Sequence, residues 1–260
     1  MSTLIQNSSQ PYLYKDNSNL PQMLYCYADH SIDLSYGSSS YKIRPWKIKR
    51  LNLDTQESSV IQTVSYHQDY GLAILECNPH LYIKDGIIKL YYTAGFMKEE
   101  GNPITYYLCS MTADNLNLDH LVDLSIIEKT FSGTMINDNE LLCVQKAYGR
   151  DILVKKDINS NNGRIISLDY LQIDEILRLT KRFDNDKVII TGKTHQKNYV
   201  SYLLNNNLII EDSSIIQNSY DMDVYKCSLL DNIMAYTVRN ESYDPEDVES
   251  RSIVIENNIA

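Results

Sequence analysis

Short apolar runs alternate with polar turns along most of this chain. The stretch from Glu76 to Gly95 shows the pattern best, with Leu81-Tyr82-Ile83 and Ile87 to Thr93 on either side of Lys84-Asp85-Gly86. Aromatic and β-branched runs joined through Asp-Gly predict a hairpin with a tight primed turn, because both turn residues accept positive φ. The same punctuation recurs at Asp16-Asn17, Asp138-Asn139, Asn185-Asp186 and Asp231-Asn232. A strand-like run follows each turn: "MLYCYA" from Met23, "IIKLYYTA" from Ile87, "ELLCVQKA" from Glu140, "KVIITGKT" from Lys187 and "NIMAYTVR" from Asn232. A second run completes each unit: "YKIRPWKIKRL" from Tyr41, "ITYYLCSMT" from Ile104, "RDILVKKD" from Arg150, "NYVSYLLNN" from Asn198 and "RSIVIENN" from Arg251.

Self-similar β units with no helical crossover between most of them are the sign of a propeller of four-stranded blades. The fold class predicted is therefore all-β: a five-bladed β-propeller of four-stranded antiparallel blades, with residues 1–260 as one domain. The first eight residues have no unit of their own and are expected to form the outer strand of the last blade, closing the ring. The Leu168 to Phe183 stretch fits helical spacing as well as two strands, and a helix there would weaken the repeat.

Composition narrows the choice of partner. A formal charge of -10 repels phosphate backbones, and the basic run Lys47-Ile48-Lys49-Arg50 is too short to reverse that. Nucleic acid is thus not an expected partner. No apolar run approaches the ~20 residues of a membrane span, and the N-terminal residues lack the pattern of a secretory signal. No membrane association is expected. Cys26, Cys77, Cys109, Cys143 and Cys227 lie mostly within apolar runs and form no CxxC pair, which suits reduced thiols. A reducing compartment follows, the cytoplasm by default, with a virion or another export route as the alternative. Cys77-Asn78-Pro79-His80 is half of a zinc pattern without a second half, so neither metal nor cofactor is expected.

With this architecture, Glu76 to Gly95 resembles the acid-bearing segment of the five-bladed propeller glycoside hydrolases, the arabinanase, β-xylosidase and fructosidase group. Glu76, Pro79, His80, Leu81, Tyr82, Lys84, Asp85 and Gly86 carry the resemblance, and Glu76-Cys77 resembles the Glu-Cys pair of the fructosidases. It implies a carbohydrate partner and Glu76 as general acid. Two departures stand out. Glu76 lies one residue further from Pro79 than in the commonest xylosidase-like form, and the first-blade Asp-Pro that usually carries the general base reads Gln10-Pro11. If Asn78-Pro79 is aligned to the family's Asp-Pro instead, the second blade has lost a carboxylate too. Glycosidic cleavage needs one protonated and one ionised carboxyl, and an amide can be neither.

A replacement carboxylate is sought where other blades begin their inner strand, about eight to ten residues before the turn. Glu128 and Asp223 fall there, and Asp223 is preferred as the second catalytic group. His30 and His80 are candidates for binding a sugar hydroxyl or holding a carboxylate.

Loop lengths point to one face. In an up-and-down blade the loop between the second and third strands emerges where the first strand begins. It is short in the third and fourth units ("YG", "HQ") and long in the first, second and fifth: "DHSIDLSYGSSS" from Asp29, "GFMKEEGNP" from Gly95 and "NESYDPEDVES" from Asn240. These units are neighbours in a closed ring, so their loops would wall a groove bearing Tyr36, Phe96 and Tyr243 as stacking rings. Gln10, Asp29, His30, Tyr36, Asn78, His80, Phe96 and Tyr243 are the predicted substrate-binding residues. The expected function is glycan recognition with weak or lost hydrolysis. The alternative is a non-catalytic structural or adhesive propeller, such as a viral or cell-surface attachment protein.

Overall fold

A computed structural model describes residues 2–257 apart from 30–31, 37–38, 44–45, 63–65, 100–101, 131, 148, 161, 167–170, 184–186, 197, 217–224 and 240–250. Strand β1 (Ser2–Gln6) precedes blade one, which runs β2 (Ser8–Lys15), β3 (Pro21–Ala28), β6 (Trp46–Asn52) and β7 (Ser58–Gln62). A separate hairpin, β4 (Ile32–Tyr36) with β5 (Ser39–Ile43), is inserted between β3 and β6. Blade two runs β9 (Gly71–Lys84), β10 (Ile87–Met97), β11 (Thr105–Ala113) and β12 (Leu121–Lys129), with the two-residue β8 (Tyr66–His67) added beside β9. Blade three runs β13 (Ser132–Met135), β14 (Glu140–Ala147), β15 (Arg150–Asp157) and β16 (Gly163–Ile166). Blade four runs β17 (Ile173–Lys181), β18 (Val188–Thr194), β19 (Tyr199–Leu204) and β20 (Ile210–Ile216). Blade five runs β21 (Tyr225–Leu230), β22 (Ile233–Arg239) and β23 (Arg251–Asn257), with β1 as its outer strand.

The chain is therefore a five-bladed β-propeller of four-stranded antiparallel sheets. β1 pairs with β23 from Ser2↔Glu256 to Gln6↔Ser252, so both ends of the described chain share one sheet, as the N-terminal residues predicted. This pairing covers the outer edge of β23. The Leu168 to Phe183 stretch supplies the inner strand β17 and no α-helix among its described residues, Leu171 being in a 3-10 turn just before the strand. Leu171, Ile173, Ile176 and Leu179 are buried, and from Arg178 to Lys181 consecutive residues are buried, so the alternation that separates a strand from a helix is lost there. The run from Tyr41 is divided between β5 and β6, so it is not one strand.

Asp85 (φ 50) and Gly86 (φ 77) form the predicted primed turn, with Lys84 and Ile87 paired across it. The turns at Asp16, Asp85, Asp138 and Asp231 each join the first strand of a blade to its second, and so share the lower face. Asn185 lies outside the described residues.

The core consists of wedges between neighbouring blades. Tyr12, Tyr14, Leu24 and Ile48 pack on Leu81, Leu90 and Tyr92. Tyr91 and Leu108 meet Met135, Leu141 and Cys143. Leu142 and Leu153 meet Leu179 and Ile190, while Leu13 and Met23 meet Leu230 and Ile253. Cys26, Cys77, Cys109 and Cys143 are buried and pack as small side chains within the core. No helix among the described residues is long and apolar enough to cross a membrane.

Candidate functional site

Each inner strand begins on the upper face and ends in a lower-face turn, so residues at matching offsets from these turns lie at similar depth around the axis. Gln10 precedes Asp16 by six residues, Asn78 precedes Asp85 by seven, Ser132 precedes Asp138 by six and Arg178 precedes Asn185 by seven. Their side chains converge in one hydrogen-bonded hub.

Gln10 Oε1 accepts the backbone N–H of Asn78 at 2.5 Å, and Gln10 N–H donates to Thr237 Oγ1 of blade five at 2.9 Å. Asn78 Nδ2 donates to Leu179 O at 2.9 Å and lies 3.4 Å from Ser132 Oγ. Asn78 Oδ1 accepts Arg178 Nε–H at 2.8 Å, and Arg178 Nη1–H reaches Pro11 O at 2.8 Å. Ser132 Oγ also accepts the Leu179 N–H at 3.1 Å. The hub thus ties all five blades together. Arg178 is 0% exposed, and a charge this deep needs such partners to offset its lost hydration.

The backbone at the hub is strained. Gln10 (φ 60) and Asn78 (φ 54) are both left-handed and both precede proline, which restricts its neighbour further. Register shifts lie between Ser9 and Tyr12, and between Tyr91 and Thr93 opposite Asn78. Bulges absorb the proline's missing donor and turn the preceding side chain out of the ladder. Left-handed non-glycine residues cost on the order of 1–3 kcal/mol each and gather at functional sites.

Below the hub, His80 is 0% exposed and stacks on Tyr91 at 5.7 Å. Its Nδ1–H donates to Asn78 O at 2.9 Å, and Nε2 has no partner among the described residues. Burial is the main cause of its pKa falling to about 4, opposed by the Asn78 carbonyl and reinforced by the Arg178 charge. His80 is therefore a neutral interior ring.

Of the predicted site residues, Gln10, Asn78 and His80 come together. Asp29 stands at the foot of the inserted hairpin, ion-paired with Lys47. Tyr36 is in β4, on the upper face, which makes the long first loop a hairpin. Phe96 belongs to β10, which runs on to Met97, and its ring is 2% exposed beneath Tyr70 and Tyr107, so it is a buried support. Glu76 is in β9 with its backbone opposite Ala94. Its side chain, with His30, Asp223 and Tyr243, lies outside the described residues. Glu128 begins no inner strand: it is in the outer strand β12, where it pairs with Lys156 of blade three at 3.0 Å. An apolar run preceding a turn can be an outer strand as readily as an inner one, and this displaced it.

Sequence reading missed Arg178, Ser132 and Thr237. The usable signal was a lone arginine in "ILRLT" at the same distance from a turn as Asn78. Among the described residues, no group of His, Cys, Asp and Glu side chains is arranged to hold a metal ion.

No family model matches the chain, and no curated protein sequence does. Solved structures do match. The GH43_1 enzyme from Xanthomonas citri, complexed with xylotriose, superposes with a TM-score of 0.55 at 8% identity, covering 96% of this chain and 87% of that one. The fold is the one these hydrolases use. Native arabinanase from Bacillus subtilis matches with a TM-score of 0.52 at 12% identity over 98% of this chain and 96% of its own. A family 117 glycoside hydrolase from Zobellia galactanivorans gives 0.52 at 12% over 99% and 86%. Identities this low establish the propeller and leave its chemistry to the residues.

Proposed function

We propose that this propeller recognises a glycan on its upper face and has weak or lost hydrolysis of glycosidic bonds. The observation that carries this reading is the pair of amides at the axis. Gln10 stands where the family resemblance implies the first-blade aspartate, Asn78 would replace another if its Asn-Pro is aligned to the Asp-Pro, and their oxygens already accept Asn78 N–H and Arg178 Nε–H. An amide cannot activate water or attack carbon, and one held in a hub is poorly placed to exchange partners.

Recognition is supported by the upper-face architecture. The inserted β4–β5 hairpin of blade one and the ends of the long β9–β10 pair of blade two both belong to the upper face, which would give an extended ligand a wall to lie against. Glu76 is the proposed acid of any residual activity, with Asp223 as its partner carboxylate. Tyr36, Tyr243, Asp29 and His30 are the proposed loop contacts. A non-catalytic adhesive propeller is the second reading, favoured by the same amide hub.

Purified protein should be tested on an oligosaccharide array and, in parallel, against aryl arabinosides, xylosides and fructosides. Glycan capture with negligible turnover is the expected result. Robust turnover would refute the loss of hydrolysis, and capture of no glycan would leave the adhesive reading.

A further inference from the structure

The β9–β10 pair carries a second cleft away from the hub. Gly71, at its upper end, is seven residues from Asn78, roughly 20 Å along an extended strand. The cleft encloses about 450 Å³ between the β8–β9 turn, the end of β10 and the start of β11. This lies in the ~300–1,000 Å³ range of small-molecule sites.

Its aromatic wall is preassembled. Tyr70 and Tyr107 have ring centroids 4.6 Å apart at 59°, and both rest on the buried Phe96 at 5.9 and 6.0 Å. The floor is just as fixed. A Cβ on Gly71 would sit 2.2 Å from Met97 O, so only glycine permits this approach of β9 to the end of β10. Around the rings are a carboxylate from Asp69, an ammonium from Lys98, an amide from Asn102 and a hydroxyl from Thr105.

Half-buried rings held by neighbours offer flat apolar faces at little ordering cost. Donors and acceptors of both signs suit a ligand dense in hydroxyls, and the opposed charges of Asp69 and Lys98 favour a neutral one. We propose that this cleft is a second carbohydrate site, taking the terminal one or two rings of a neutral glycan against Tyr70 and Tyr107, with Asp69 and Asn102 as hydroxyl partners. The site deepens the glycan-recognising reading and rests on it.

Asp69 and Asn102 are exposed rim residues, so Asp69→Ala and Asn102→Ala should leave the melting temperature unchanged. The full chain is first screened on an oligosaccharide array, and the best-bound neutral oligosaccharide is titrated calorimetrically into wild type and the double variant. A rise in Kd of at least tenfold in the double variant is expected. Unchanged affinity would overturn the cleft while leaving glycan recognition in place. A wild-type chain that captures no glycan would overturn both.

Discussion

Arg178 of the fourth blade donates its Nε–H to Asn78 Oδ1 of the second at 2.8 Å, and both side chains are buried. Replacing the arginine by methionine keeps much of its volume but leaves Asn78 Oδ1 and Pro11 O each short of a donor. Losses of about 1–3 kcal/mol for each of these two buried groups predict that Arg178→Met destabilises by roughly 2–6 kcal/mol. Arg178→Lys should recover only part of this, since one ammonium cannot reproduce the planar fork. Denaturant unfolding of both variants checks the order.

His80 makes stability depend on pH. Its folded pKa, about 4, lies below the ordinary 6.5, so between these values the unfolded chain binds a proton that the folded one excludes. The contribution is fully present above pH 6.5 and is lost progressively as pH falls toward 4, amounting to about 3 kcal/mol. His80→Gln should flatten the stability curve of the protein in this window. Equal slopes for wild type and variant would refute the assignment.

Gly71→Ala tests the close approach at the upper end of blade two. The added methyl meets Met97 O at 2.2 Å and Lys98 Cα at 2.6 Å, on a backbone with φ +89. Neither contact is a flexible side-chain end, so the strands must part. A loss of more than about 1 kcal/mol is expected, with hydrogen exchange rising in β8 and in the upper parts of β9 and β10 while blades three and four keep their protection.

Removal of residues 1–7 deletes the strand that pairs with β23 from Ser252 to Glu256. The shortened protein should melt at lower temperature and self-associate at high concentration, because β23 becomes an open edge. Size-exclusion chromatography with thermal melting reads both effects.

Any residual hydrolysis should depend on Glu76. General acid assistance contributes ~10²–10⁴-fold, and activated leaving groups need little of it. Glu76→Gln should therefore reduce turnover of a natural glycoside far more than that of an aryl glycoside. Equal effects on the two substrates would remove Glu76 from the acid role.

The repeat of turn, strand, loop and strand was legible in sequence because each hairpin is a local event, set by Asp-Gly and Asp-Asn chemistry and runs of β-forming residues. Closure by residues 2–6 was legible as well, since a strand without a unit has only one open edge to join. The amides Gln10 and Asn78 were visible as departures from a family pattern. What they do was not. Arg178, Ser132 and Thr237 lie between 47 and 227 residues from the hub groups they join, and no local pattern encodes such a meeting. The same limit applied to Phe96, which reads as a loop aromatic until the length of β10 is known and then proves to be a buried support. Sequence determined the blades because their hydrogen bonds form between neighbours in the chain. Ring closure alone decided which side chains share the axis, because it brings the inner strands of separate blades to a common depth.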